Sequence, residues 1–139
     1  QIQKFKNFSK VIDENFEFHC KYFHKLDKYF ITPKIEKNVE TNFLSYPIII
    51  RENRNFNRKE LQIFLEKHNI QTRPIFSGNI LRHPAFKSII SKRNRLSSFP
   101  NSDYIMKNGI LIGCHQGLKK TNLKYIHSKI NYFLEKKLI

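Results

Sequence analysis

Asn69-Ile70-Gln71-Thr72-Arg73-Pro74-Ile75-Phe76-Ser77-Gly78-Asn79-Ile80-Leu81-Arg82-His83-Pro84-Ala85-Phe86 is the stretch on which the reading of this chain turns. It holds the first glycine of the chain and two of the five prolines. It sets Arg73, Ser77, Asn79, Arg82 and His83 among the apolar residues Ile75, Phe76, Ile80, Leu81 and Phe86. A segment that only connects elements is more uniformly polar. Apolar anchors alternating with hydrogen-bonding groups pin a loop to a core while it presents polar groups to a ligand. Ile70 to Phe76 reads as a short strand delivering this loop, and Pro84 restricts His83 ahead of a short helix over 84–91.

Upstream, a helix start is well marked. Asn57 is an N-cap with Glu60 three residues on, and Phe56 and Leu61 are placed as a hydrophobic staple. Leu61, Phe64 and Leu65 give its buried face. Lys67 and His68 suit the C-terminal end of the dipole, and Asn69 suits a left-handed cap. Before it, Phe43 to Ile50 reads as a strand in which Pro47 marks an edge, a bulge or a start, and residues 32–42 read as a loop. Residues 1 to about 30 contain no Gly or Pro. Ile2, Phe5, Phe8, Ile12, Phe16, Phe23, Leu26 and Phe30 recur at helical spacing, so one long helix ending near Pro33 is expected. His19 and His24 are read as solvated residues on its surface, because a five-residue step does not share a face.

Downstream, residues 92–103 read as a surface loop leading to a short helix over Ser102 to Met106. Gly109 to Leu118 reads as a strand that ends in a turn flanked by Gly113 and Gly117. The last helix spans roughly 120–136 on the stripe Leu123, Ile126, Ile130, Phe133 and Leu134. Its start is poor: Lys119 and Lys120 put positive charge at the positive end of the dipole, and Thr121 is read as a late cap. Three short strands among these helices predict an α+β fold, a small sheet with helices packed on it.

The 139 residues make one domain with a substantial core, as 40% apolar content and thirteen phenylalanines require. No apolar run approaches the ~20 residues of a membrane span, and the N-terminal residues do not read as a signal peptide. The net charge of +15 accompanies a composition rich in Lys, Ile, Asn and Phe. That bias is the mark of an AT-rich coding sequence. The basic residues are dispersed, so nucleic acid is disfavoured as a partner. Cys20 and Cys114 are too far apart in sequence for a metal knuckle and read as free thiols of a reducing cytoplasm. The chain begins with Gln1 inside an apparent helix, and the expectation is a fragment of a longer polypeptide.

Arg73, Phe76, Gly78, Asn79, Arg82 and Pro84 form the pattern Arg-x-x-Phe-x-Gly-Asn-x-x-Arg-x-Pro. In this the chain resembles the C-terminal domain of the DegT/DnrJ/EryC1/StrS family of sugar aminotransferases. It looks most like the CDP-4-keto-6-deoxyglucose 3-dehydratase branch of lipopolysaccharide biosynthesis. The aminotransferase branch carries a Pro-x-His-x-x-Pro-like pattern at this place. The chain departs from the family at His115-Gln116-Gly117-Leu118, where an aromatic-Pro-Gly-Leu is usual.

The resemblance implies the small C-terminal domain of a fold-type I enzyme dependent on pyridoxal or pyridoxamine 5'-phosphate. Residues 1–30 would form the connecting helix and 43–139 the α+β domain. The cofactor domain, with its pyridinium carboxylate and catalytic base, would lie outside this chain. The full-length protein would be a cytoplasmic homodimer that removes the C3 hydroxyl of a nucleotide-linked 4-keto-6-deoxyhexose. The small domain would contribute Arg73, Ser77, Gly78, Asn79 and Arg82 to substrate binding. Guanidinium groups suit pyrophosphate and sugar hydroxyls, Asn79 can donate and accept, and Gly78 lets the backbone approach. In the purely structural alternative, Arg73 pairs with a local acid and Asn79 closes its own turn. The alternatives for the whole are a sugar aminotransferase of the same family, an inactive remnant, or a small basic nucleic-acid-binding module.

Overall fold

The computed structural model describes residues 2–53, 55–86, 88 and 99–138. Helix α1 (Phe5–Phe23) follows a single 3-10 turn and buries Ile12, Asn15, Phe16, His19 and Phe23, a stripe at steps of three and four. It is shorter than its apolar pattern implies. A 3-10 turn at His24–Leu26 and a hydrogen bond from Tyr29 N–H to the Leu26 carbonyl (2.9 Å) end it well before Pro33. Phe30, expected on the helix stripe, instead enters the core from strand β1 (Phe30–Ile31). The stripe's first members, Ile2 and Phe5, stand exposed.

The expected sheet of three strands has four. The order is β1-β2-β4-β3, with β2 Ser45–Ile50, β3 Thr72–Pro74 and β4 Gly109–Gly113, and every pair is antiparallel. The extra strand is β1, too short to leave a signal of its own. It pairs only with Ile49 and Ile50, so Pro47 has a strand neighbour on one side alone, opposite Leu111 of β4. That lets a residue without an N–H sit in an inner strand. Period-two alternation sends Tyr46, Ile48 and Ile50 of β2, and Ile110 and Ile112 of β4, into the core. Each fully buried large apolar side chain there contributes about 1.5–3 kcal/mol of transfer free energy.

Helix α2 (Arg58–Lys67) has both halves of the capping box: Asn57 Oδ1 accepts from Glu60 N–H, and Glu60 Oε2 accepts from Asn57 N–H. Phe56 and Leu61 both lie in the core cluster, as the staple requires. Its end is a Schellman turn. Asn69 holds φ 58°, Ile70 N–H reaches the Leu65 carbonyl, and Asn69 N–H reaches that of Glu66. Glu66 then takes hydrogen bonds from the Thr72 backbone N–H (2.7 Å) and hydroxyl (2.8 Å), which fixes where β3 begins.

Helix α3 (Pro100–Asn108) starts earlier and ends later than the expected Ser102 to Met106, with Pro100 in its first turn. Beyond the 3-10 turn Pro84–Phe86, most of the helix expected over 84–91 and of the loop over 92–103 lies outside the described residues. Helix α4 (Lys120–Leu138) buries Leu123, Ile126, His127, Ile130, Phe133 and Leu134. Thr121 is not its cap. Asn122 Oδ1 accepts from Lys119 N–H (2.9 Å), so the third helical residue bonds back to the residue before the helix. Helices α1, α2 and α4 cover the core face of the sheet, joined by ring contacts such as Phe16 on Tyr46 and Phe56 on Phe133. No helix among the described residues is long and apolar enough to cross a membrane.

Candidate functional site

Strand β3 delivers the loop over residues 75–83, and four contacts hold it. Ile75 is seated against Gly109, where a Cβ would lie 2.6 Å from the Ile75 side chain. Gly78 holds φ +59°, and a Cβ there would lie 2.5 Å from Met106 Cβ, so both conformation and space demand glycine. His83 Nε2–H donates to the Ser77 carbonyl (2.8 Å). Asn79 Oδ1 accepts from Leu81 N–H (3.1 Å) and caps the 3-10 turn Ile80–Arg82.

The loop is tied to α3 by one carboxylate. Asp103 Oδ1 accepts from Asn79 Nδ2 (2.8 Å) and Arg82 Nε (2.7 Å), while its Oδ2 meets Arg82 Nη2. These charge-assisted bonds, that from Arg82 first and that from Asn79 second, hold the Asp103 carboxyl down at about 2. Asn79 is buried, its Oδ1 closing the loop's own turn on Leu81 N–H and its Nδ2 bonded to Asp103 on α3. Phe76 is the opposite case. Its backbone is left-handed at φ 45° and its ring is 87% exposed. A bulky residue holds that conformation only where its surroundings impose it.

The structure therefore brings Asn79 and Arg82 onto Asp103, with Gly78 packed on Met106 of the same helix and the Ser77 carbonyl bonded to His83. Arg73 joins none of these bonds. It lies opposite Leu111 and lines a separate cavity of about 400 Å³ with Gln71 and His115. The local ion pair that the structural alternative assigned to Arg73 is made by Arg82 instead.

A second polar cluster went unrecognised in the sequence. His19, expected to be solvated, is fully buried on α1. Its Nε2–H donates to the Gly113 carbonyl (3.0 Å), which leaves Nδ1 to accept from His127 Nε2–H (2.9 Å). Burial holds His19 down at about 4; burial and then the His19 charge hold His127 at about 3. Tyr22 stacks on the His127 ring at 3.7 Å. Asn15 Nδ2 lies 3.1–3.3 Å from the Cys114, His115 and Leu118 carbonyls and braces the turn after β4. The signal was in the pattern: His19 is three residues after Phe16 and four before Phe23, on the apolar stripe.

The antiparallel sheet covered by helices is a fold that the chain shares with part of solved sugar aminotransferases. The chain belongs to the DegT/DnrJ/EryC1/StrS aminotransferase family, whose model matches residues 1–131. It is 28% identical over 133 residues to lipopolysaccharide biosynthesis protein RfbH of Salmonella typhimurium, covering 96% of this chain and 30% of that one. It is 31% identical over 107 residues to dTDP-4-dehydro-2,6-dideoxy-D-glucose 3-dehydratase of Saccharopolyspora spinosa, covering 76% and 22%.

Among solved structures, E. coli GDP-4-keto-6-deoxy-D-mannose-3-dehydratase with bound hydrated PLP superimposes with a TM-score of 0.74 at 23% identity, over 92% of this chain and 32% of that one. An aminotransferase from Psychrobacter cryohalolentis superimposes with a TM-score of 0.85 at 13% identity, over 100% and 37%. The chain thus spans between 22% and 37% of the length of these proteins.

Proposed function

We propose that the chain is the C-terminal portion of a nucleotide-sugar 3-dehydratase. The full protein would remove the C3 hydroxyl from a nucleotide-linked 4-keto-6-deoxyhexose in cytoplasmic deoxysugar and lipopolysaccharide O-antigen synthesis, as a homodimer. The observation that carries this reading is the loop: the dehydratase-type order Phe76, Gly78, Asn79, Arg82 forms a turn pinned by Asp103 and open to solvent at Ser77 and Phe76. The dehydratase names among the relatives support it.

Within the cleft, Ser77 and Arg82 would meet sugar hydroxyl and pyrophosphate groups, while Gly78, closed against Met106, and Asn79 would hold the turn in shape. Pyridoxal or pyridoxamine 5'-phosphate would supply the electron sink. Among the described residues, the polar groups of the loop and of the buried histidine pair do not compose its cradle. Asp103 is already engaged by Arg82 and Asn79, and the buried histidines by each other and by Gly113. The reading assigns the cofactor to a larger domain outside these residues.

A sugar aminotransferase of the same family is the second reading, kept because aminotransferases share this fold and the chain belongs to their family. One experiment separates the two. The full-length polypeptide, loaded with pyridoxamine 5'-phosphate, is incubated with a nucleotide-linked 4-keto-6-deoxyhexose and the product is weighed. A keto sugar short of one oxygen atom, formed as the loaded pyridoxamine form becomes the pyridoxal form with release of ammonia, and dependent on Arg82, is the expected result. An amino sugar that keeps its C3 hydroxyl, formed once per loaded cofactor and repeatedly when glutamate is added, identifies the aminotransferase, and an unchanged sugar overturns both.

A further inference from the structure

We propose that the cavity beside Arg73 is a second ligand site, distinct from the Asp103-pinned loop, that takes a small organic anion with an apolar body. Strand β3 pairs with β4 only as far as Ile112, so β4 runs past it into Gly113 and the His115 turn. The gap left there, between Asn69–Gln71 and the first turns of α4, is the cavity of about 400 Å³. That is the size of a small-molecule site. Its floor is apolar, built from Ile112, Leu118 and Ile126, and its rim carries Arg73, Gln71 and His115.

The rim groups have hydrogen-bonding capacity to spare. Among the described residues, neither the Arg73 guanidinium nor the Gln71 amide has a hydrogen bond or ion pair. His115 uses Nδ1 to accept from Gly117 N–H (3.2 Å), which leaves the Nε2 side of the ring for a ligand. Among the described residues, no acid lines the cavity. Glu66, whose carboxyl is pulled down by the Thr72 bonds first and the Arg73 charge last, is occupied by Thr72. A planar guanidinium flanked by an amide and an imidazole recognises a carboxylate or a phosphate. The floor beneath accepts the rest of the molecule.

This site does not depend on the dehydratase reading. The 139-residue chain, labelled with ¹⁵N, is titrated separately with phenylacetate, phenyl phosphate and neutral 2-phenylethanol. The expected result is saturable shifts at Gln71, Arg73, Gly113 and His115, with the neutral alcohol about tenfold weaker or more and Arg73→Gln losing a similar factor. Which anion binds more tightly identifies carboxylate or phosphate. With a charge of +15 the chain attracts any anion. Shifts spread over surface lysines, abolished by about 0.3 M salt and equal in Arg73→Gln, overturn the site. Failure here would leave Gly78, Asn79 and Asp103 free to respond to a nucleoside diphosphate, so the two proposals fail separately.

Discussion

The His19–His127 pair and the Asp103 loop are both knots of hydrogen-bonding side chains, but one is neutral and dry while the other is charged and wet. His19 and His127 sit between α1, β4 and α4, where a charge would lose its hydration, so burial keeps both uncharged. Asp103 and Arg82 keep about a third and a quarter of their side chains exposed, and each holds the other charged. The buried knot joins helices to sheet and belongs to stability. The exposed one joins a loop to a helix and fixes where side chains stand. Solvent contact decides which task a polar cluster performs.

The largest effect comes from breaking the buried knot. His127→Ala removes the donor to His19 Nδ1 and leaves an unsatisfied buried acceptor beside a void. A loss of about 3 kcal/mol is expected in urea denaturation. An effect below about 1 kcal/mol would mean that water replaces the ring.

Acid separates the two knots without a mutation. A histidine whose folded value is depressed is neutral when folded, yet its unfolded counterpart takes a proton near 6.5. Stability is full above that pH and falls as pH drops towards 4, where His19 begins to titrate in the fold. With His127 held lower still, two protons are in play and stability falls more steeply with pH than a single histidine would make it. The Asp103 contribution is lost only from about 3.8 down to about 2. Midpoints that stay level between pH 7 and 5 would remove the histidines from this account.

Substituting Asp103→Asn keeps the shape and removes the charge. The expected outcome is a small change in the global midpoint, smaller than for His127→Ala, with faster amide exchange confined to residues 79–83. Uniform loss of protection over the whole domain would make Asp103 a part of the core.

The smallest expected effect is at the loop tip. Phe76→Gly gives up little burial and relieves a left-handed backbone, so a gain of about 0.5 kcal/mol is expected. A loss of 1 kcal/mol or more would show that the ring packs on the domain.

Local signals were legible in the chain. Asn57 with Glu60, Asn69 at a left-handed cap, the β-branched run Ile48–Ile50 and the helical stripe Leu123 to Leu134 each act over a few residues, and each is found where it was expected. Gly78 stands at a positive φ that only glycine adopts cheaply, a demand that appears only with the backbone in view. What depended on residues far apart in sequence was not legible. The fourth strand exists because Phe30 and Ile31 meet Ile50 and Ile49 across the sheet. His19 is buried because His127 arrives on another helix 108 positions later. Arg82 rather than Arg73 has a carboxylate because α3 brings Asp103 to it. Periodicity, caps and backbone permissiveness are written in neighbouring residues. Partners, burial and charge state are set only when the chain folds back and water leaves.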